Sequence, residues 1–323
     1  MQAYRISISK CSMCQINNIH EKVCNYCKPF FYYNGPAMEN LKIALQKNGR
    51  LSDLSLNLIE ECGIIFANEG KGKLISVGQN FPADVLYIRD DDIPQYVFDG
   101  VADIGIVGEN EVMEKGKDVK IIERLGFAKC RLSLAISQSV EYKGKEYFNG
   151  KRIATSYPKI LKKYLNNNNI QAEIHEISGS VEIAPGIGLA DSIFDIVSTG
   201  STLVSNRLKE VEVVFHSEAV IIANKCIPGK KKGMLDDLLF RIKSVQRSKN
   251  NKYILLNAPD DKLDKIVELL PGIKSPTVMP LYQKGWSSLH TVVNENDFWE
   301  VINKLKEYGA QGILVSSIEK MII

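Results

Sequence analysis

The stretch Leu41–Gly63, LKIALQKNGRLSDLSLNLIEECG, holds the architecture in miniature. Leu41 to Leu45 is an apolar run of strand length, and Gln46-Lys47-Asn48-Gly49-Arg50 breaks it with polar and conformationally permissive residues. Apolar or small side chains at 51, 54, 58 and 62 then recur at helical spacing, and Gly63 supplies a stop. A strand that passes through a basic loop into an amphipathic helix is the building unit of α/β proteins.

The same alternation continues outward from this unit. Strands are expected at 84–88, 104–108, 131–136 and 153–156, with helices at 93–99 and 158–165. The asparagine run 166–169 reads as a loop before strands at 172–177 and 195–197, and 211–223 reads as one long extended stretch. These elements suggest two small α/β lobes, residues 41–137 with 213–226 and residues 138–212, with the chain crossing over and returning. Such an arrangement places ligands in the cleft at the strand ends. Residues 227–233 are a composition break, and 227–250 reads as a linker followed by a helix from Met234 to Arg247. The last unit, 251–323, has the order βαββαβ of a ferredoxin-like module.

The chain has 323 residues, 41 basic and 38 acidic, so its net charge of +3 argues against a dedicated nucleic-acid binder. No apolar run approaches the roughly 18 residues of a membrane span, and no export signal is evident. Both absences lead to the expectation of a cytoplasmic protein. Four of the seven cysteines, Cys11, Cys14, Cys24 and Cys27, lie in the first 40 residues as C-x2-C-x9-C-x2-C. Paired C-x2-C knuckles suit zinc, although nine intervening residues are fewer than usual. A disordered tail, and a non-native segment ahead of a start at Met38, are the competing readings of residues 1–40.

The sharpest chemical signal is Asp195-Ile196-Val197-Ser198-Thr199-Gly200-Ser201-Thr202-Leu203. A strand delivers an acid, and a Ser/Thr/Gly turn opens a helix, so hydroxyls and backbone N–H groups can wrap a phosphate while Asp195 holds sugar hydroxyls. Ordinary helix capping would use the same residues. Ahead of it, Gly179-Ser180-Val181-Glu182 brings an acid toward the cleft or caps a helix start. Lys47 and Arg50, flanking Gly49, suit a polyphosphate, or are simply solvated. In Arg89-Asp90-Asp91-Asp92-Ile93-Pro94 the arginine reads as a ligand clamp and the aspartates as helix cap or, less readily, metal ligands. Gly108 and Glu109 end a glycine-flanked strand at the cleft. His20, His175, His216 and His290 have no spacing for a metal or a relay, and there is no G-x-S-x-G, P-loop or G-x-G-x-x-G. Covalent catalysis and dinucleotide binding are therefore disfavoured.

Taken in order, Gln46 to Leu51, Arg89 to Pro94, Asp103 to Asn110, Cys130 to Ala135, Lys151 to Pro158, Gly179 to Glu182 and Asp195 to Leu203 resemble the ATP phosphoribosyltransferase family in its long form. The likeness runs from about Leu41 to Ile323. It implies a two-lobed, periplasmic-binding-protein-like catalytic part with a ferredoxin-like regulatory domain. It also implies transfer of a phosphoribosyl group from phosphoribosyl pyrophosphate to N1 of ATP, the first step of histidine biosynthesis, with Mg2+ required. On this resemblance Lys47, Arg50, Arg89 and Glu182 are catalytic, and Asp195, Ser198, Thr199, Gly200, Ser201 and Thr202 bind phosphoribosyl pyrophosphate. Gln46, Gly49, Asp90, Gly108, Glu109 and Thr155 contact the nucleotide. Histidine, a feedback inhibitor, falls to Ala258, Asp264, Thr277 and His290. AMP as a second inhibitor, and a hexamer in equilibrium with a dimer, complete the implied picture, with no nucleic-acid or membrane partner. Asn48 and Ser201 stand where smaller residues are expected, and Gly186 where some relatives carry arginine. The two-lobed outline alone would equally suit a non-catalytic small-molecule sensor.

Overall fold

A computed structural model describes residues 40–67, 74–270, 272 and 274–322. The cysteines of the first 40 residues, on which the zinc reading rests, lie outside the described residues.

The opening part of the chain forms β1 (Leu41–Gln46), α1 (Arg50–Glu61), β2 (Ile75–Val77), β3 (Ala83–Ile88), α2 (Ile93–Phe98), β4 (Ile104–Gly108), α3 (Glu109–Lys115) and β5 (Lys120–Arg124). It then builds β6 (Cys130–Ser137), β7 (Arg152–Thr155), α4 (Pro158–Asn167), β8 (Glu173–Glu176), β9 (Ser192–Val197), α5 (Ser201–Ser205), β10 (Leu208–Ser217) and β11 (Ala219–Ala223). After α6 (Gly229–Lys249) come β12 (Asn251–Pro259), α7 (Leu263–Leu269), β13 (Thr277–Pro280), β14 (Trp286–Asn294), α8 (Glu295–Glu307) and β15 (Gln311–Ser317).

Three sheets result, ordered β2-β3-β1-β4-β11-β5, β10-β6-β9-β7-β8 and β13-β14-β12-β15. The first two are the cores of two lobes in the periplasmic-binding-protein-like arrangement, and the third has the ferredoxin-like strand order. Sheet membership corrects the expected lobe edges. β6 and β10 pair antiparallel with each other, from Leu208↔Ser137 to Ser217↔Cys130, inside the second sheet. The crossover therefore falls before Cys130, and the return falls at Ser217–Ala219. A long extended stretch hides this in the sequence, because the break between β10 and β11 is a single residue, Glu218.

Each lobe buries both faces of its sheet. Leu41, Ile43, Ile106 and Ile221 pack under α1 and α6, while Ala44, Val107, Val220 and Ile222 meet α2 and α3 on the other side. Full burial of such side chains is worth about 1.5–3 kcal/mol each. Helix α1 with its C-terminal cap buries Leu58 and Cys62 of the face expected for it, but Leu51 and Leu54 are only half-buried, and Ser52, Ser55 and Ile59 point inward instead. Ser55 tolerates this because its hydroxyl donates to the Leu51 carbonyl at 2.7 Å. The expected linker at 227–233 is instead the first turns of α6, opened by Pro228. Lys231 explains why a lysine-rich run is helical here. Its ammonium is buried against Asp103 at 2.9 and 3.1 Å, tying α6 to the first sheet. The edge strands β2 and β5 lie outside the expected set, since such short edge segments lack a clear apolar alternation.

Candidate active site

In the second lobe, β9 carries Asp195 to the sheet's end, and the chain turns through Ser198, Thr199 and Gly200 into α5. Gly200 takes φ +83°, a left-handed conformation that a side chain would strain. The turn gathers donors on one side. The Thr199 and Ser201 hydroxyls lie 3.0 Å apart, and the Ser201 N–H points at Thr199 Oγ1 from 3.4 Å. Arg131 on β6 braces the turn by donating to the Ser198 carbonyl at 3.1 Å. Asp195 is largely withdrawn from water, and burial, with the nearby Glu182 carboxylate adding to it, pushes its pKa up to about 6; the Ile196 N–H opposes the shift. Glu182 sits on a short 3-10 turn, Val181–Ile183, entered through Ser180 at φ +49°. Val181, Ala184, Ile193, Val197 and Leu203 share one apolar cluster, so the Glu182 turn and the Asp195 loop rest on a common base.

The first lobe contributes two loops side by side, because β1 and β3 pair parallel with Gln46 opposite Ile88. The Lys47 N–H donates to the Ile88 carbonyl at 2.8 Å, and Gln46 Nε2 reaches Asp90 Oδ2 at 3.3 Å. Gly49, at φ +103°, opens α1. Lys47 and Arg50 are exposed, and among the described residues their charged groups have no hydrogen-bond or ion-pair partner. Arg89 is not a free clamp: it pairs with Asp91 at 3.1 Å, which also holds Lys115 at 3.4 Å. Its side chain is nonetheless 78% exposed, so an incoming anion can compete for it.

Two expected nucleotide contacts are engaged elsewhere. Thr155 is fully buried, and its hydroxyl accepts the Tyr157 N–H at 2.8 Å, fixing the turn into α4. Glu109 is buried in a two-pronged ion pair with Arg124, at 2.5 and 2.6 Å, which holds that guanidinium protonated and ties α3 to β5. Gly108 precedes α3, and a Cβ there would run into Asn110.

The residues that join the lobes are not among the expected site residues, although Asn110 and Tyr157 fall within the motif strings. The Tyr157 hydroxyl, from the second lobe, donates to Glu111 Oε1 on α3 at 3.0 Å. Asn110 Nδ2 donates to that hydroxyl at 3.3 Å and to Glu111 at 3.1 Å. An aromatic residue just ahead of Pro158 does not by itself set a side chain across a cleft.

In the ferredoxin-like unit the expected effector residues divide. Thr277 lies opposite His290 in the β13–β14 ladder, and both line a cavity of about 530 Å³ with Tyr253, Lys274 and Ser275. His290 is held by the Tyr253 hydroxyl at 2.6 Å and Ser288 at 3.0 Å. Ala258 is fully buried in the core beneath the helices, and Asp264 is exposed on α7. Neither lines that cavity.

The hydroxyl-rich turn after Asp195 and the exposed cations Lys47 and Arg50 suit the binding of phosphorylated ligands. Comparison with known proteins narrows this. Residues 89–244 match the family described as HisG, ATP phosphoribosyltransferase, and residues 248–320 match its C-terminal domain. The chain is 61% identical to the ATP phosphoribosyltransferase of Cytophaga hutchinsonii over 282 residues, 87% of this chain and 98% of that one. It is 59% identical to that of Bacteroides fragilis, over 88% of this chain and all of the relative. Among solved structures, an ATP phosphoribosyl transferase (HisG:HisZ) complex from Thermotoga maritima superposes with a TM-score of 0.56 at 28% identity, over 64% of this chain and 98% of that one. This chain belongs to the ATP phosphoribosyltransferase family, in the form that carries the C-terminal domain.

Proposed function

We infer that this chain transfers the phosphoribosyl group of phosphoribosyl pyrophosphate to N1 of ATP, releasing pyrophosphate, as the first step of histidine biosynthesis. The observation that carries the reading is the Asp195–Thr202 loop with its clustered hydroxyls, and the exposed Lys47 and Arg50 of the first lobe support it. Ser198, Thr199, Gly200, Ser201 and Thr202 would cradle the 5-phosphate, and Asp195 the ribose hydroxyls. Lys47, Arg50 and Arg89 would neutralise the departing pyrophosphate. The bond from C1 to the pyrophosphate oxygen breaks with its electron pair leaving on oxygen, as the N1 lone pair of adenine bonds to C1. Positive charge builds on the ribose, and the Asp195 and Glu182 carboxylates would stabilise it. N1 carries no proton to be removed, so no general base is required.

Among the described residues, no cluster of three or more acidic, histidine or cysteine side chains could hold a metal ion. On this reading magnesium is carried on pyrophosphate oxygens with its own waters, where it would offset the leaving group's charge. Histidine would act through the Thr277–His290 cavity. AMP as a second inhibitor, a hexamer exchanging with dimers and a cytoplasmic location belong to the same reading, as does the division into two catalytic lobes and a regulatory domain from about residue 251. Among the described residues no helix is long and apolar enough to cross a membrane. The test is a coupled assay with ATP, phosphoribosyl pyrophosphate, magnesium and pyrophosphatase, followed by the ultraviolet absorbance of the N1-substituted product. A folded protein that forms no product overturns the reading.

A further inference from the structure

We propose that Glu111 and Tyr157 are positioning residues for the transfer, their hydrogen bond holding the basic loops of the first lobe in register with the hydroxyl loop of the second. The inference rests on the transferase reading for its catalytic consequence, and on geometry alone for the closure.

The pair stands between the two halves of the site. On one side, Glu111 lies within electrostatic reach of Asp90 and Asp91, in the loop that neighbours Lys47. On the other, Tyr157 lies within reach of Asp195. Both side chains are buried, so their 3.0 Å hydrogen bond is shielded from water and geometrically constrained. Burial and the adjacent carboxylate keep the Tyr157 hydroxyl protonated, which preserves it as the donor.

Asn110 connects the pair to the hinge. Its Nδ2 serves Tyr157 and Glu111, while its backbone N–H donates to the Ser217 hydroxyl at 3.1 Å and its Oδ1 accepts from that hydroxyl at 2.9 Å. Ser217 is the last residue of β10, where the chain returns to the first lobe. The link from hinge to cleft is therefore continuous through one asparagine.

A second contact spans the lobes one helical turn further on. Glu114, also on α3, accepts the backbone N–H groups of Lys159 at 3.0 Å and Ile160 at 3.1 Å, capping α4 from the opposite lobe. Lys159 Nζ donates to the Lys115 carbonyl at 3.2 Å. The amides of Lys159 and Ile160 thus report directly on whether the lobes are engaged.

The experiment uses the full chain with Tyr157→Phe, which removes only the hydroxyl, and Glu111→Gln, whose amide oxygen still accepts from Tyr157. Tyr157→Phe is expected to lower kcat/KM for both substrates by roughly ten-fold, the scale of a small misplacement of reacting groups. It should also speed hydrogen exchange at the Lys159 and Ile160 amides. Glu111→Gln should stay much closer to the parent in both measurements. Unchanged kcat/KM in Tyr157→Phe, or a loss confined to one substrate, overturns the positioning role. Unchanged exchange at those two amides overturns the closure itself. If the parent is inactive, the transferase reading fails, and the exchange measurement still decides the closure.

Discussion

Arg131 grips Glu210 with both ends of its guanidinium, at 2.5 and 2.6 Å, while a third N–H holds the Ser198 carbonyl at 3.1 Å. The hydroxyl loop is therefore anchored through β6 to β10, two strands of one rigid sheet. Ser133 adds a 2.6 Å hydrogen bond to the same carboxylate, so Glu210 in turn is held from two sides.

Arg131→Lys keeps a charge but loses the planar fork that engages Glu210 and Ser198 together. We expect a rise of roughly ten-fold or more in KM for phosphoribosyl pyrophosphate, by analogy with other small losses of positioning. The KM for ATP should change far less. Steady-state kinetics with each substrate varied in turn measures the difference, and equal effects on both would count against loop anchoring.

Asp195 carries the pH dependence. Its folded pKa of about 6 lies above the ordinary carboxylate value of 3.8, so the folded chain holds this proton more tightly than the unfolded one. Its contribution to stability is therefore fully present below about pH 4 and declines as pH rises through about 6. Ionised Asp195 is the form that accepts from ribose hydroxyls, so kcat/KM should rise with pH through the same region. Removing the like charge with Glu182→Gln should move that limb to lower pH. A limb that stays fixed in this variant would separate Glu182 from the titration.

Lys231→Met leaves the buried Asp103 carboxylate with, among the described residues, the Lys42 N–H at 2.8 Å as its one remaining partner. Breaking such a buried pair from one side costs about 3–5 kcal/mol. Replacing both partners, as Lys231→Met with Asp103→Asn, should recover part of that loss. Urea denaturation of the single and double variants measures the recovery.

In the ferredoxin-like unit, Tyr253→Phe removes the 2.6 Å hydrogen bond that orients His290, which the proposed histidine inhibition depends on. Inhibition by histidine should weaken by at least several-fold in this variant and in Thr277→Val, with turnover in the absence of histidine unchanged. Asp264→Asn, on an exposed helix position away from the cavity, serves as the control. An inhibition curve that responds to Asp264 and not to Tyr253 would relocate the effector site.

Local patterns are enough to expose most elements of this chain. Apolar runs of strand length, glycine stops and the Pro158 helix start are short-range signals, and they mark β1, β4, β6, α1 and α4 within a few residues. The Ser/Thr/Gly loop after Asp195 is legible for the same reason, since a left-handed glycine and adjacent hydroxyls are neighbours in sequence. The start of helix α6 is not legible in this way, because a lysine run reads as solvated loop until Asp103, 128 residues away, supplies a buried partner for Lys231.

The sequence by itself therefore determined the α/β class, the ferredoxin-like order of the last unit and the hydroxyl loop, all of which depend on periodicity and nearest neighbours. Only the tertiary structure decided which polar residues remain available for ligands. Glu109 and Thr155 look like ligands in the string, but Arg124 and the Tyr157 amide already hold them. Among the described residues Lys47 and Arg50 have no ion-pair partner, and Glu111 meets Tyr157 across 46 residues of chain. The physical reason is one of pairing: the partners that engage a buried charged or hydroxyl group come from strands and helices far apart in sequence.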